Sequence, residues 1–308
     1  MTYIEQLKAI VRATGWSQEE LARELKVSFP ALNAWLNERA TPRQGAQDRI
    51  AALYSSILGA DVVDPADLHH AKQAAAKLSY SVRTLREDKK ALDTLTLYLT
   101  YHTNTIEGST MTLADVEDVI FDNKVLANRT LIEQAEARNH QAALHWLLDK
   151  IAETGKTFTL DEQLILDLHV RLMNGIISNA GQYRNHSVRI MGTHVPLANW
   201  QRIPELIQQL VTEAQTESSE DIVTRLARFH ARFEKIHPFS DGNGRTGRLL
   251  LLAQALSADR IPPLVLRERK QAYYKYLEVA QTKENYESLE LFLSQAMQAC
   301  YELLVVSQ

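Results

Sequence analysis

The sequence has a single cysteine and few residues that interrupt helices. Its only cysteine, Cys300, excludes an intrachain disulfide framework and a cysteine-based zinc site. Glycine and proline number only 11 and 8 among 308 residues, so helices can run uninterrupted over much of the chain. No apolar run approaches the roughly 18 residues that span a bilayer. The first residues also lack the basic start and apolar stretch of a signal peptide. These absences favour a cytoplasmic protein that does not enter a membrane.

Charge of neither sign dominates the chain. Lys and Arg number 34 against 38 Asp and Glu, which gives a formal net charge of -4. This balance excludes a uniformly basic nucleic-acid coat and leaves room for a local basic face. Hydrophobic residues make up 45% of the chain, which is the composition of a folded globular protein.

Apolar residues recur mostly at the spacing of an α-helix. The segment 221–236 repeats them at steps of three and four: Ile222, Leu226, Phe229, Phe233 and Ile236. Thr112 and Thr159 are each followed three residues later by an acidic residue, which is the pattern of a capping box. The sequence therefore predicts an all-α fold.

Breaker residues divide the chain into two units. Residues 59–66 are the first stretch rich in helix-breaking residues, which predicts a helical domain over 1–58, a linker over 59–74 and a larger domain over 75–308. One segment departs from the helical pattern. Apolar residues alternate within 187–196 on both sides of Gly192, which predicts a short β-hairpin.

The N-terminal unit contains two short helices joined by a tight turn. Ser17 followed by Glu20 predicts the start of one helix, and Pro30 suits the first turn of the next. Leu21, Ala22, Leu25, Val27, Leu32 and Trp35 are expected to close a shared core. Over residues 4–57 this pattern resembles the Cro/repressor type of helix-turn-helix domain.

That resemblance implies DNA binding through the second helix. In such domains its first residues face base edges and nearby basic residues face phosphates. The implied DNA-binding residues are Lys26, Ser28, Phe29, Pro30, Asn33, Arg39 and Arg43. Basic residues exceed acidic ones by only one over 1–58, and Phe29 and Pro30 offer no hydrogen bonds to bases. A helical module for protein contacts or dimerisation remains the alternative.

The segment 237–248, His-Pro-Phe-Ser-Asp-Gly-Asn-Gly-Arg-Thr-Gly-Arg, combines groups that suit phosphate chemistry. Gly242 and Gly244 permit a close backbone approach, and the following helix presents its N-terminus to an anion. Arg245 and Arg248 lie three residues apart and can hold two phosphate groups.

The same segment supplies a base and a metal ligand. His237 has an intrinsic pKa suited to a general base. Asp241 offers one hard oxygen ligand to Mg²⁺, which on a nucleotide takes few carboxylates and several phosphate oxygens. The residues alone thus predict a phosphate, a divalent cation and a base at one loop.

This segment resembles the Fic family signature, His-Pro-Phe-x-Asp/Glu-Gly-Asn-Gly-Arg-x-x-Arg, at every specified position. The resemblance extends over about residues 80–300 and implies a helical domain that transfers AMP from Mg-ATP to a Ser, Thr or Tyr hydroxyl of a target protein. Its implied roles are His237 as catalytic base, Asp241 as magnesium ligand, and Gly242, Asn243, Gly244, Arg245 and Arg248 as phosphate-binding residues. Arg245 would face the β-phosphate and Arg248 the γ-phosphate.

The predicted hairpin resembles the flap on which that family docks its targets. The implied target-docking residues are Val188, Arg189, Ile190, Met191, Gly192, Thr193 and His194. An extended target segment would pair with the flap edge and bring its hydroxyl close to His237.

The end of a predicted helix over about 89–107 carries a second motif. Thr103 and Glu107 lie one helical turn apart and Gly108 follows, which by itself indicates an ordinary helix C-terminus. Beside the loop the motif resembles the Fic inhibitory pattern, Ser/Thr-x-x-x-Glu-Gly/Asn. The resemblance implies that Glu107 pairs with Arg248 and keeps ATP from binding productively.

The sequence is compatible with two functions from different classes. The first is an autoinhibited protein adenylyltransferase, with removal of AMP as an alternative second activity. The second is a DNA-binding regulator that senses nucleotide with little catalysis. Transfer of another group, such as phosphate or UMP, is a further alternative, and a homodimer would suit a two-fold operator. His169 and His230 lie on apolar faces and are expected to pack in the core.

Overall fold

The computed structural model describes residues 2–57, 63–190, 193, 195–216 and 219–306. Within these ranges the regular secondary structure is helical, and the one strand-like pairing is an isolated bridge between Ser79 and Arg260. The all-α prediction is confirmed. The helices are α1 (Tyr3–Thr14), α2 (Gln18–Glu24), α3 (Phe29–Leu36), α4 (Gln44–Ile57), α5 (Pro65–Ala76), α6 (Val82–Glu87), α7 (Lys89–Ile106), α8 (Leu113–Ile120), α9 (Leu131–Thr154), α10 (Glu162–Met173), α11 (Ile203–Gln215), α12 (Ile222–Ile236), α13 (Asn243–Ser257), α14 (Lys270–Lys283) and α15 (Glu287–Tyr301). Gly155–Thr157, Trp200–Arg202 and Arg267–Arg269 form 3₁₀ turns, and Glu302–Val306 forms a π-helical turn.

Helices α1 to α4 form a small unit with a core of its own. Its buried residues are Leu7, Ile10, Leu21, Ala22, Leu25, Leu32, Trp35, Ala46 and Ile50, with Val27 packed at their edge. Ser17 and Glu20 form the predicted capping box at the start of α2. The tight turn to α3 contains Lys26 in a left-handed conformation, with φ of 54°. The two predicted short helices are therefore present with their predicted core.

Helix α5 covers most of the segment that composition favours as a linker. Asp64 caps this helix and Pro65 is its first residue, so the breaker residues start a helix instead of a loop. The Lys72 ammonium lies 2.7 Å from Glu290 Oε2, which fastens α5 to α15. The described part of the segment, from residue 63 onward, is thus mostly helix packed on the larger unit.

The larger unit is built around α13. Helices α7, α9, α10 and α12 surround it, and its apolar run Leu249–Leu252 is buried. The loop that precedes α13 consequently lies in the middle of the unit, where four helices can reach it.

None of the described helices is long and apolar enough to cross a bilayer.

Two local predictions differ from the structure. Helix α10 is capped by Asp161, whose carboxylate accepts from the Leu164 N–H at 2.7 Å, and not by Thr159. The segment 187–196 carries no strand pairing in its described residues, so the β-hairpin is not formed there. Its flanks do not pair with each other. The Ala198 N–H donates to the Lys235 carbonyl in the last turn of α12, and the Arg184 N–H donates to the Pro238 carbonyl just after that helix.

Candidate active site

The loop between α12 and α13 has two left-handed residues that set its shape. His237 follows α12 with φ of 50° and ψ of 62°, and its N–H donates to the Phe233 carbonyl at 2.9 Å. Gly242 has φ of 81° and lies where a Cβ would be 2.6 Å from the Met173 sulfur, so only glycine fits. Helix α13 begins at Asn243, which makes the second half of the signature its first turns and not part of the loop.

The Asn243 side chain closes the loop on itself. Its amide donates to the Phe239 carbonyl at 2.9 Å and accepts from the Phe239 N–H at 2.8 Å. The side chain is thus bonded within the loop, and the Asn243 backbone N–H is the group that faces the helix N-terminus. The first-turn N–H groups of α13, including those of Asn243 and Gly244, have no acceptor within the helix. They form a site suited to phosphate.

His237 is held as a neutral base. Its Nδ1 lies 3.3 Å from the Glu234 carbonyl oxygen, which can only accept, so Nδ1 carries the hydrogen and Nε2 keeps its lone pair. Burial lowers the pKa of His237 to about 4, and the cation of Arg184 acts in the same direction. The bond to the Glu234 carbonyl and the charges of Glu107 and Asp241 oppose that decrease.

Asp241 presents a carboxylate at the mouth of the site. Its side chain is 59% exposed, and its Oδ1 accepts from the Gly242 N–H at 2.6 Å. The described residues contain no group of three metal-ligating side chains. A cation at Asp241 would therefore take its other oxygen ligands from phosphate or water, as Mg²⁺ does on nucleotides.

The two arginines of the signature have different surroundings. The Arg245 side chain is only 3% exposed, and its Nη1 donates to Glu136 of α9 at 2.6 Å. Its Nη2 lies 3.4 Å from Asp241 Oδ1, so it links Glu136 to the candidate metal ligand. This burial differs from the expected place of Arg245 on a β-phosphate. Sequence reasoning did not identify Glu136, because no spacing connects positions so far apart.

Arg248 is bound by the end of α7. Its Nε donates to the Thr103 hydroxyl at 2.7 Å, and its Nη2 forms an ion pair with Glu107. A Cβ on Gly244 would clash with Glu107 Oε1, so that carboxylate rests against the first turn of α13. Gly108, with φ of 113°, then turns the chain away from the helix. The carboxylate thus occupies the region suited to phosphate.

A second carboxyl lies inside the site. Glu234 is buried, and its Oε1 has no hydrogen-bond partner among the described residues. Burial raises the pKa of Glu234 to about 8, against the opposing effect of Arg248. It lines a cavity of about 90 Å³ together with Glu107, His237, Arg248, Tyr273 and Tyr274, among others. Its place one turn before His237 is the only sequence signal that could have found it.

His169 packs in the core as expected and also supports the loop. Its ring stacks on Phe239 with centroids 3.6 Å apart. Nδ1 accepts from the Gly181 N–H at 2.8 Å, which leaves Nε2 to donate to the Asp241 carbonyl at 2.9 Å. His230 is likewise buried, and its Nε2 lies 2.5 Å from the Tyr273 hydroxyl.

The candidate docking segment, residues 187–196, runs beside the base. Its described residues Val188, Arg189, Ile190 and Thr193 line an open cleft of about 850 Å³ that Trp200 also lines. Ile190 and Thr193 reach the small cavity beside His237 as well. Met191, Gly192 and His194 lie outside the described residues.

The predicted DNA-binding residues have two kinds of surroundings. Lys26, Phe29, Pro30, Arg39 and Arg43 are exposed, and the Ser28 hydroxyl caps α3. Asn33 differs, because its amide donates to Gln18 Oε1 at 3.1 Å. That bond ties α3 to α2, so the Asn33 side chain is engaged inside the unit.

Comparison with known proteins identifies both units. Residues 159–255 match the Fic/DOC family, and residues 7–54 match a helix-turn-helix family. The chain is 30% identical over 188 residues to "Protein adenylyltransferase Fic" of Nematostella vectensis, covering 58% of this chain and 42% of that protein. It is 28% identical over 230 residues to the protein of the same name from Drosophila ananassae, covering 72% of this chain and 45% of that protein. The chain therefore spans less than half the length of these relatives.

Solved structures share the fold. Fic-1 (residues 134–508) from C. elegans superposes with a TM-score of 0.66 at 22% identity, covering 94% of this chain and 84% of that one. A Fic family protein from Desulfovibrio desulfuricans G20 gives a TM-score of 0.60 at 24% identity, covering 80% of this chain and 76% of that one. The chain therefore carries a Fic/DOC family domain, preceded by a helix-turn-helix domain.

Proposed function

We propose that the chain is a protein adenylyltransferase that transfers AMP from ATP to a protein hydroxyl and is held inactive by Glu107. The neutral His237 beside a helix N-terminus supports this reaction. Its Nε2 takes the proton of the incoming hydroxyl, whose oxygen attacks the α-phosphorus in line. The bond between that phosphorus and the bridging oxygen breaks, and pyrophosphate leaves.

The phosphates would lie on the first turn of α13. The N–H groups there face the α- and β-phosphates, and Gly242 and Gly244 allow the close approach. Arg248 would meet the γ-phosphate once Glu107 withdraws. Arg245 is buried against Glu136, so in this conformation it acts through Asp241; contact with the β-phosphate would need its release.

Mg²⁺ fits the exposed carboxylate of Asp241. It would neutralise charge on the α- and β-phosphates and so favour departure of pyrophosphate. Asp241 would hold it, and Arg245 with Glu136 would keep that carboxylate in place.

The ion pair between Glu107 and Arg248 is the observation that carries the proposal of autoinhibition. It removes the partner of the γ-phosphate and puts a negative charge where a phosphate would bind. The remaining cavity, about 90 Å³, is well below the roughly 300 Å³ of typical ligand pockets. ATP would then bind poorly, or with its α-phosphate out of line.

Label transfer tests this function. A Glu107→Gly chain incubated with α-labelled ATP, Mg²⁺ and cell extract should label protein bands, and Glu107→Gly/His237→Ala should label none. Labelling from γ-labelled ATP instead would indicate phosphate transfer. If the chain without substitutions releases AMP from a labelled target and Glu107→Gly abolishes that release, the result would support removal of AMP as a second activity. Absence of label from a folded Glu107→Gly chain would refute the proposal.

The second candidate is a DNA-binding regulator that senses nucleotide. The helix-turn-helix match and the exposed Lys26, Arg39 and Arg43 support DNA binding. Retardation of its promoter DNA should weaken steeply with salt, and Arg43→Ala should weaken binding to all sequences alike. DNA binding without label transfer after Glu107→Gly would favour this candidate alone.

A homodimer would suit both functions. Leu131 and Ile132, the first two residues of α9, and Val125 in the preceding loop are each more than half exposed, although they are large and apolar. We infer that a second copy covers this patch. A dimer in sedimentation analysis that becomes a monomer on Leu131→Asp would support it, and a monomeric unmodified chain would contradict it.

A further inference from the structure

Arg184 is a buried cation whose hydrogen bonds all go to backbone carbonyls. It is 2% exposed. Its Nε donates to His237 at 2.8 Å, Nη1 to His186 at 2.7 Å, and Nη2 to Ala198 at 2.6 Å and to Ile236 at 3.3 Å. Burying a charge is costly unless its hydrogen-bonding groups are satisfied, and here the planar guanidinium fork satisfies them.

Two of those carbonyls belong to the end of α12. Ile236 is its last residue and His237 is its C-cap, so the cation also lies at the negative end of the helix. The backbone of Arg184 adds a further bond, because its N–H donates to the Pro238 carbonyl at 2.9 Å. Arg184 therefore hydrogen-bonds to the backbone before, at and after the base His237.

The other two carbonyls flank the docking segment. His186 immediately precedes it and Ala198 lies just beyond it. The Ala198 N–H also donates to the Lys235 carbonyl at 3.2 Å. One guanidinium thus joins the two flanks of the segment to each other and to the residue that would take the target's proton.

The His237 backbone needs such support. A left-handed conformation is unfavourable for a residue other than glycine and persists only where surrounding contacts impose it. The Arg184 Nε bond to the His237 carbonyl is one such contact, and it holds the backbone from which the imidazole projects.

We propose that Arg184 is a positioning residue that holds the target-docking segment in register with the base His237. The inference rests on the proposed adenylyl transfer. It assigns Arg184 to the alignment of the protein target and not to nucleotide binding, because its contacts lie on α12 and the segment flanks, away from the first turn of α13. A Lys side chain keeps the charge but lacks the fork, and Gln lacks both.

The test compares Arg184→Gln and Arg184→Lys in the Glu107→Gly chain, with Arg129→Gln as control. Arg129 is also partly buried, but it pairs with Asp115, away from the site. With the acceptor protein found by labelling, Arg184→Gln should lower kcat/KM for that acceptor about tenfold or more, while the Kd for a non-hydrolysable Mg-ATP analogue changes less than about twofold. Arg184→Lys should give an intermediate loss and the control none.

Limited proteolysis tests the same inference independently of catalytic activity. Arg189 is exposed within the docking segment, so trypsin cleavage after it reports how well the flanks are held. Cleavage there should be severalfold faster in Arg184→Gln than in its parent and unchanged in Arg129→Gln.

The outcomes separate the inference from the proposed function. A parent chain that transfers no label refutes adenylyl transfer, and proteolysis still decides the role of Arg184. Unchanged cleavage after Arg189 overturns the inference whether or not transfer falls. Loss of nucleotide binding in both Arg184 variants overturns it as well, because that loss marks a general structural role.

Discussion

Glu107 and Arg248 are 141 positions apart in the sequence and form an ion pair at the first turn of α13. The pair joins the last turn of one helix to the phosphate-binding end of another. Thr103 supports it from the same face of α7, through a hydroxyl that accepts from Arg248 Nε at 2.7 Å. The contact puts negative charge where the proposed reaction needs a phosphate, so most of the expected regulation depends on one carboxylate.

Glu107→Gly should raise AMP transfer about tenfold or more, because it removes a charge of the same sign as the phosphates and frees Arg248. The measurement is the initial rate of incorporation from α-labelled ATP. Glu87→Gly is a matched control, since Glu87 also ends a helix and pairs with an arginine, at an exposed place away from the site. Equal rates for the two variants would count against inhibition by Glu107.

Transfer by the Glu107→Gly chain should stay nearly constant from pH 7 down to pH 5. The pKa of His237 is lowered to about 4, so the base stays neutral over this range and is lost only as pH falls through that value. Single-turnover rates across the range measure it. A midpoint near the ordinary histidine pKa of about 6.5 would contradict the buried, neutral base.

The stability of the chain should fall relative to Glu234→Gln as pH rises from 5 to 8. The pKa of Glu234 is raised from 4.5 to about 8 in the fold. Between these two values the unfolded state has lost the proton that the folded state keeps, so the free energy of unfolding falls as pH rises. The difference in unfolding free energy should change by at most about 1.4 kcal/mol per pH unit. Denaturant unfolding at both pH values measures it. The exposed Glu117→Gln should change nothing, and parallel curves for the parent and Glu234→Gln would refute this prediction.

Gly247→Ala should destabilise the fold by about 1–3 kcal/mol through overpacking. A Cβ there would lie 2.5 Å from Glu234 Oε1 and 3.1 Å from His230 Cε1. The loss should shrink in a Glu234→Ala background, because that change removes the closest contact, and a double-mutant cycle gives the coupling. Gly45→Ala is the control, since its nearest neighbour, Arg49, is 4.0 Å away, and it should be neutral or slightly stabilising. Equal losses in both backgrounds would disprove the predicted contact.

The parts of the site that could be predicted share a short sequence range or a recognised spacing. The 237–248 signature keeps its groups within one loop and the first turns of α13, and Thr103 and Glu107 share one helix face. The family resemblance also predicts that Glu107 pairs with Arg248, and the structure contains this ion pair. The bond between Asn33 and Gln18 could not be predicted, because it depends on how α2 and α3 cross.

The sequence by itself determined the helical fold and the family resemblance of the 237–248 segment, since periodicity, caps and a contiguous motif are local properties. Only the tertiary structure decided which residues support that loop. Its supporting contacts join residues that are far apart in the chain and belong to different parts of the fold: Glu136 with Arg245, His169 with Asp241, and Arg184 with His237. Such contacts depend on how helices cross around α13. No spacing along the sequence encodes that geometry.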